Sequence, residues 1–279
     1  MRDALYAPVE QQRPEPDSAP GGSAVVDAAL PLPWPSAPDG LSLEPIEVHV
    51  WAIPLGSPPA GCAALGLVLS PDERHRAARF RFDLHRNRFI AGRGRLRMIL
   101  GRYLNLEPSA IEFDYSERGK PFLAGRLRQS GFEFNFSNSG PLALLGVTRD
   151  QAVGVDLEAV RPIQDVERLV ARFFSPRENA IFHTVSEEHK PAAFFNLWTR
   201  KEAWLKATGQ GIGHALNQVE VSFLSGDEAK FLGLPSGFSL SAWHLRSMMP
   251  APGFVAALAT AGGPPALQCW SWPGQGQLT

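Results

Sequence analysis

The sequence has little of several things that other protein classes need. Only two of the 279 residues are cysteine, Cys62 and Cys269, and no other Cys or His lies at metal-ligand spacing from them. A disulfide framework is therefore excluded, and no zinc site is implied. No apolar run approaches the ~20 residues that span a bilayer, and the N-terminus lacks the apolar region of an export signal. We expect a cytoplasmic protein with no membrane segment.

An excess of charge of one sign is also missing, because the formal net charge is only −1. This near balance argues against a protein that coats nucleic acid along its whole surface. The 44% of hydrophobic residues suffice for a core, and the length predicts one large or two small domains. The predicted segments are a flexible proline-rich leader over 1–40, a first half over 41–150, a second half over 151–262 and a Gly/Pro-rich tail over 263–279 that is only loosely held. Within the leader, Trp34 is the residue expected to dock on the folded body.

A helix-start pattern occurs twice, about a hundred residues apart. Ser70 and Ser175 are each followed by proline at the first helical position and by glutamate at the third. The repetition hints at two related α/β halves. Longer helices are predicted from Phe89 to Tyr103 and from Pro191 to a glycine cap at Gly209.

Several segments have the alternation or turn boundaries of strands. Residues 46–53 alternate with period two, which predicts a strand with one core face that carries Ile46. Turn residues are predicted at Asn138, Ser139, Gly140 and Asp150. The remaining predicted strands cover 132–136, 142–147, 152–157, 219–223, 239–245 and 254–259.

Two acids in the strand-like run Val153–Glu158 are the first candidates for chemistry. Asp156 and Glu158 are two residues apart, so in a strand they project from one face. Two such charges about 4 Å apart repel by roughly 4 kcal/mol, so the pair favours a cation, and oxygen ligands suit Mg²⁺. The alternative is a solvated strand end with two unrelated acids, and spacing by itself favours that alternative.

A stripe on the last predicted long helix adds a third acid. Trp198, Glu202 and Lys206 stand four residues apart and share one face. The simplest interpretation is an ordinary i,i+4 Glu–Lys pair on the helix surface. The other is that Glu202 joins the two strand acids as a third carboxylate.

Arginine is concentrated in one segment, with ten between Arg74 and Arg102. The planar guanidinium suits phosphate groups, so we expect an anion-binding surface there; nucleic acid is one candidate ligand, and a solvated basic face is the alternative. Lys120, one of five lysines, lies in a turn predicted to expose it, and the serine-rich turn after Asn135 could hold a phosphate. Helical spacing predicts two arginine faces away from the apolar stripe, one with Arg86, Arg93 and Arg97 and one with Arg88, Arg95 and Arg102.

Five motifs follow one another along the chain: Gly119-Lys120-Pro121, the segments 135–139 and 154–158, the segment 172–178 and the segment 198–206. Taken in this order, they resemble those of the 4′-phosphopantetheinyl transferase family, most closely its long two-half type. The resemblance covers about residues 46–260. It implies an α+β fold, a pseudo-twofold pair of similar α/β halves, with coenzyme A in the cleft between them.

The resemblance also implies a reaction and a set of site residues. The 4′-phosphopantetheine arm of coenzyme A, the co-substrate, passes to a serine of an acyl or peptidyl carrier protein, and adenosine 3′,5′-bisphosphate leaves. The implied partners are therefore coenzyme A and a carrier protein, with no nucleic acid, and a monomer is expected. The implied roles are Mg²⁺ binding by Asp156, Glu158 and Glu202, catalysis by Glu202, Lys206 and Asp156, and coenzyme binding by Arg76, Arg88, Lys120, Ser137 and Asn138.

One position departs from the family pattern. Asn138 stands where the family usually has a histidine that helps hold the 3′-phosphate of the coenzyme. An amide donates a hydrogen bond but brings no positive charge, so affinity at that end depends more on the arginines. The alternative function is a catalytically idle protein that uses the basic cleft to bind a nucleotide or nucleic acid; the three acids argue against it.

Overall fold

The computed structural model describes residues 34–210 and 216–272, which form a mixed α+β protein with runs of helices between runs of strands. The described strands are β1 Glu47–Pro54, β2 Phe113–Tyr115, β3 Pro121–Leu123, β4 Phe132–Ser139, β5 Leu142–Arg149, β6 Val153–Ala159, β7 Glu220–Val221, β8 Phe231–Gly233, β9 Trp243–Met248, β10 Phe254–Ala261 and β11 Ala266–Ser271. The described helices are α1 Pro59–Leu67, α2 Pro71–Ala78, α3 Asp83–Leu104, α4 Val166–Phe173, α5 Pro176–Phe182 and α6 Lys190–Thr208.

The larger strands form two sheets. The first has the order β11-β1-β5-β4 and the second the order β6-β10-β9, while β2-β3 and β7-β8 are small hairpin sheets. All neighbouring strands in the two larger sheets are antiparallel except β11, which runs parallel to β1. No helix of the described segments combines the length and apolarity that crossing a bilayer requires.

Three apolar cores lie between the two larger sheets and the long helices. Helix α3 packs on one face of the first sheet, α6 packs on one face of the second, and the two sheets bury their remaining faces against each other. Strand β1 is therefore buried on both sides, with Val48 and Val50 between the sheets and Trp51 under α3. The prediction of a strand with one core face is therefore wrong, because both faces of β1 are buried. Ile46, which the alternation assigns to the core face, precedes the strand with φ 66° and is exposed.

A glycine lets α6 lie directly on β6. A Cβ atom on Gly154 would fall inside van der Waals distance of the backbone oxygen of Ala203 and the backbone of Ala207. Gly94 in α3 has the same function, because a Cβ there would lie 2.9 Å from Leu65 of α1. Glycines that weaken a helix or strand by propensity are thus explained here by close packing.

Both predicted helix starts are confirmed as capping boxes. Ser70 Oγ accepts a hydrogen bond from the backbone N–H of Glu73, and Ser175 Oγ accepts one from that of Glu178. The two glutamate side chains accept from the serine N–H groups in return. The two longer helices are confirmed as well, and Gly209 ends α6 in the left-handed conformation.

Two arginines of α3 contradict the prediction that the basic faces point away from the core. Arg97 is buried, and its guanidinium donates to Glu73 at 2.7 Å and to the Ile111 carbonyl at 2.7 Å. Arg95 is also buried and donates to the Pro54 carbonyl, and burial lowers its pKa. The arginine count alone therefore overstates the anion-binding surface.

The chain ends differ from the predicted leader and tail. Trp34 packs against the core between the sheets, as expected, and Leu43 is buried ahead of β1. Residues 266–271 form β11 on the edge of β1, so the prediction of a loosely held tail is wrong for this part. Most of the predicted leader, 1–33, and the last part of the tail, 273–279, lie outside the described residues.

Candidate active site

The two strand acids are buried side by side on β6. Asp156 is 0% exposed and Glu158 is 3% exposed, which excludes a solvated strand end. Val155 and Leu157, which alternate with them, belong to the core between the sheets. The acids therefore share the opposite face, the one on which α6 lies.

The edge of β4 is joined to the edge of β6 by side chains. The backbone N–H groups of Val155, Leu157 and Ala159 donate to Asn135 Oδ1 at 2.8 Å, Ser137 Oγ at 3.3 Å and Ser139 Oγ at 3.1 Å, respectively. We call these three contacts the β4–β6 ladder. Each contact spans 20 residues, so the two strands run in the same direction. The predicted turn at Asn138 and Ser139 is wrong, because β4 continues through Ser139 and only Gly140 and Pro141 separate it from β5.

The serines of the ladder also contact the acids. Ser137 Oγ lies 3.0 Å from Asp156 Oδ1, and Ser139 Oγ lies 2.9 Å from Glu158 Oε2. Each hydroxyl thus accepts from the β6 backbone and donates to a carboxylate on the same strand. Arg161 adds a longer contact of 3.4 Å to Glu158 Oε2.

Lys206 connects α6 to this group. Its Nζ donates to Asp156 Oδ1 at 2.6 Å and to Ser137 Oγ at 2.9 Å, and its side chain is 23% exposed. Glu202, one turn earlier on α6, is buried. Trp198, the third member of the predicted stripe, instead stacks on Phe194 in the core under α6.

The arrangement and the hydrogen bonding of the buried acids bear on whether they could hold a metal ion. Among the residues described, no group of three or more His, Cys, Asp or Glu side chains is arranged to hold a metal by itself. Within the same residues, Asp156 Oδ2 is buried without a hydrogen-bond partner. An orphaned carboxylate oxygen beside a second buried acid fits Mg²⁺, which is commonly bound by one or two carboxylates plus water and substrate phosphates.

Lys120 lies closer to the protein interior than predicted. Its Nζ donates to the carbonyl of Val153 at 3.3 Å, at the start of β6, and to that of Ala207 at 3.4 Å, near the end of α6. The prediction of an exposed lysine is wrong, and burial lowers the pKa of Lys120. The side chain ties the end of α6 to the strand that carries the acids.

The remaining predicted coenzyme contacts lie on the other side of β4. Asn138 alternates with Ser137 and therefore shares the face of Phe136, whose ring would lie 3.2 Å from a Cβ on Gly92 of α3. Arg88 is one turn earlier on α3 and is half-buried. Arg76 lies in α2, with its guanidinium 5.2 Å from the ring centroid of Phe89.

Sequence reasoning missed Asn135, Ser139 and Arg161 as neighbours of the acids. A signal for the first two was present, because Asn135, Ser137 and Ser139 alternate with period two and so share one strand face. The assumed turn at Ser139 hid it. Nothing in the spacing indicates that side chains rather than backbone would cover the β6 edge.

Comparisons with known proteins agree with the motifs. Residues 152–259 match the model of the 4′-phosphopantetheinyl transferase superfamily, and residues 60–149 match that of the 4′-phosphopantetheinyl transferase N-terminal family. The chain is 45% identical over 229 residues to 4′-phosphopantetheinyl transferase HetI of Nostoc sp., covering 82% of this chain and 94% of the relative. It is 36% identical over 202 residues to putative 4′-phosphopantetheinyl transferase slr0495 of Synechocystis sp., covering 72% and 79%. Among solved structures, Thermotoga maritima holo-[acyl-carrier-protein] synthase matches with TM-score 0.31 and 23% identity, over 40% of this chain and 62% of that one.

Proposed function

This chain belongs to the 4′-phosphopantetheinyl transferase superfamily and is an enzyme of that type, and we propose that it transfers the 4′-phosphopantetheine arm of coenzyme A to a serine of an acyl or peptidyl carrier protein. The reaction depends on Mg²⁺ and releases adenosine 3′,5′-bisphosphate. The observation that carries the proposal is the pair of buried acids Asp156 and Glu158, with the partly exposed Lys206 bound to Asp156, where α6 lies on β6.

Asp156 and Glu158, with Glu202 of α6, are the residues we assign to Mg²⁺. The orphaned Asp156 Oδ2 supports this assignment, because a buried carboxylate oxygen requires a partner. When bound, Mg²⁺ supplies Lewis-acid chemistry and a template for the coenzyme pyrophosphate. The chain's part is to hold the carboxylates in place, through Ser137 and the other serine of the ladder, before any substrate arrives.

Lys206 is assigned to the transferred phosphate. An ammonium group has three N–H donors, and two of those of Lys206 are used on Asp156 and Ser137. The third donor and the partial exposure of the side chain leave it able to meet a phosphate oxygen. Lys120 and Ser137 bind the same part of the coenzyme, while Arg76, Arg88 and Asn138 bind its 3′-phosphate from the α3 side of β4.

The transfer is an in-line displacement at phosphorus. The serine oxygen of the carrier forms a bond to the phosphorus nearest the pantetheine, and the bond from that phosphorus to the bridging oxygen breaks. The bridging oxygen leaves with adenosine 3′,5′-bisphosphate. We assign Glu202 as acceptor of the serine proton, directly or through water. Lys206, which contacts the transferred phosphate, is also assigned to stabilise or protonate the leaving phosphate next to it.

The two halves are proposed to be related by a pseudo-twofold axis, with coenzyme A in the cleft between them. Two features support this relation. Each half has a strand, a capping-box helix and a long helix in the same order, and the sheet orders β1-β5-β4 and β6-β10-β9 correspond. Because the chain supplies both halves itself, a monomer is expected. The free thiols of Cys62 and Cys269 are consistent with the reducing environment of the cytoplasm, which is the proposed location.

The direct test incubates the full chain with coenzyme A, Mg²⁺ and a panel of apo carrier proteins from fatty-acid, polyketide and peptide synthesis. Mass spectrometry should show a gain of one phosphopantetheine on at least one carrier, and none on the same carrier with its acceptor serine replaced by alanine. Coenzyme A binding by calorimetry without transfer to any carrier would contradict the proposal and favour an idle binding protein.

A further inference from the structure

The β4–β6 ladder joins two strand edges that share no backbone pairing within the described part of the chain. Strand β4 ends the first sheet and β6 ends the second. Backbone N–H groups at such edges need acceptors when they are buried. Asn135, Ser137 and Ser139 supply them, and all three side chains are buried.

Only two of the three contacts also touch an acid. Ser137 and Ser139 each donate to a carboxylate of β6, whereas Asn135 accepts from the Val155 N–H without contacting Asp156 or Glu158 through any described hydrogen bond. The ladder therefore separates two tasks within one strand. Asn135 fixes the edge of β6, and the serines fix both the edge and the acids.

From this arrangement we infer that Ser139 is a positioning residue for Glu158, an inference that rests on the proposed function. Ser139 Oγ lies 2.9 Å from Glu158 Oε2 and 3.1 Å from the Ala159 nitrogen, so its hydroxyl proton is directed to the carboxylate while its lone pair takes the backbone N–H. Glu158 thereby keeps one oxygen engaged and one rotamer selected before a metal binds. Partners that orient a metal-binding carboxylate typically affect metal affinity or activity about 10–100-fold when they are removed.

The test uses three variants with matched roles. Ser139→Ala removes both contacts, Ser139→Thr keeps the hydroxyl, and Asn135→Ala removes a ladder contact that touches no acid. For each we would measure the Mg²⁺ concentration for half-maximal transfer, the binding of Mg²⁺ in the presence of coenzyme A by calorimetry, and the thermal midpoint.

Ser139→Ala should raise the Mg²⁺ requirement about 10–100-fold and weaken metal binding equally, while the KM for the carrier protein stays the same. Ser139→Thr, which keeps the hydroxyl, should leave the Mg²⁺ requirement and the metal affinity near those of the parent. Asn135→Ala should lower the thermal midpoint but leave the Mg²⁺ requirement near that of the parent. Unchanged metal binding in Ser139→Ala, or an equal change in both alanine variants, would overturn the inference.

The two levels of the proposal fail in different ways. If the parent protein binds Mg²⁺ but transfers nothing, the proposed function fails while the calorimetry still decides the role of Ser139. If the parent transfers and Ser139→Ala binds Mg²⁺ normally, only the inference fails. If the parent neither transfers nor binds Mg²⁺, both fail. Should Asn135→Ala not fold, the comparison of Ser139→Ala with Ser139→Thr decides the inference alone.

Discussion

Strands β1 and β6 each lie under a long helix, and their helix-facing sides differ. Strand β1 pairs antiparallel with β5 and packs under α3, whereas β6 pairs antiparallel with β10 and packs under α6. Under α3, β1 presents Trp51 and Ile53 to an apolar core. Under α6, β6 presents Gly154, Asp156 and Glu158.

The basic residues near the ends of α3 and α6 differ in the same way, one contacting an aromatic ring and the other an acid. Arg102 of α3 has its guanidinium 5.6 Å from the ring centroid of Trp51, while Lys206 of α6 donates to Asp156. The outer edge of β1 is covered by the backbone of β11, whereas that of β6 is covered by side chains of β4. The strand under α3 therefore belongs to an apolar core, whereas the strand under α6 carries the buried acids of the candidate site.

The largest effect that separates the halves should come from Asp156. Asp156→Asn keeps the shape but removes the charge that faces Lys206 and the assigned Mg²⁺, so transfer should fall by about 100-fold or more. Trp51→Phe, on the side of β1 that faces α3, should lower the thermal midpoint and leave turnover per folded molecule near normal. Carrier modification followed by mass spectrometry and thermal unfolding would measure both. Near-normal turnover of Asp156→Asn at ordinary Mg²⁺ would remove the assignment.

Much of this frame could be predicted from the sequence because its signals are local. Capping boxes at Ser70 and Ser175, the glycine cap at Gly209 and the shared strand face of Asp156 and Glu158 depend on neighbours within a few residues. The mixed α+β class also follows from such segments.

What the sequence did not predict depends on contacts between distant elements. The burial of Arg97, the parallel strand β11 on β1 and the ladder from Asn135 to β6 all join residues that are 20 or more positions apart. Periodicity contains no information about which sheet edge an element meets. The assignment of Asp156, Glu158 and Glu202 to Mg²⁺ came from the resemblance to a family and stays a prediction.

The next largest difference concerns the buried ion pairs of the two capping boxes. Glu73 pairs with Arg97 and Glu178 with Lys201, and all four side chains are buried. Replacing either glutamate by glutamine leaves a buried cation without its counter-charge, which costs about 3–5 kcal/mol of unfolding free energy near neutral pH. Chemical denaturation of Glu73→Gln and Glu178→Gln would measure this cost.

The pH dependence should then separate the two variants. Burial already lowers the pKa of Lys201 below 10.5, and loss of Glu178 removes the larger of the two carboxylate contributions, from Glu178 and Glu220, that oppose this shift. Because the unfolded chain then binds more protons, the stability of Glu178→Gln should rise as pH increases toward 10.5. An arginine side chain does not give up its proton in proteins, so Glu73→Gln should not recover. Parallel pH profiles for the two variants would contradict the comparison.

A smaller effect is expected at Asn138, which lies on the α3 side of β4. Asn138→His introduces a group that gains charge below about pH 6.5, so it should tighten coenzyme A binding there by about 1–2 kcal/mol if it reaches the 3′-phosphate. The control ligand, 3′-dephospho-coenzyme A, should show no gain. Calorimetry that gives equal affinities for both proteins at every pH would place Asn138 away from the phosphate.

The smallest expected effect lies in the first half, where β1 buries a titratable base. His49 Nδ1 is 2.7 Å from the Tyr103 hydroxyl and Nε2 is 3.4 Å from Glu47 Oε1. Burial lowers the pKa of His49 below 6.5, although Glu47 opposes the shift. The unfolded chain therefore binds a proton that the folded chain does not, and stability is lost as pH falls from about 6.5 toward the folded-state pKa.

His49→Gln should flatten this part of the profile of unfolding free energy against pH, whatever its effect on absolute stability. His244 on β9 is the control, because its pKa is also lowered by burial but its side chain is only half-buried. His244→Gln should therefore flatten the profile less. Urea unfolding from pH 7.5 down to 5 would measure the slopes, and a profile for His49→Gln as steep as that of the parent would show that the proton uptake lies elsewhere.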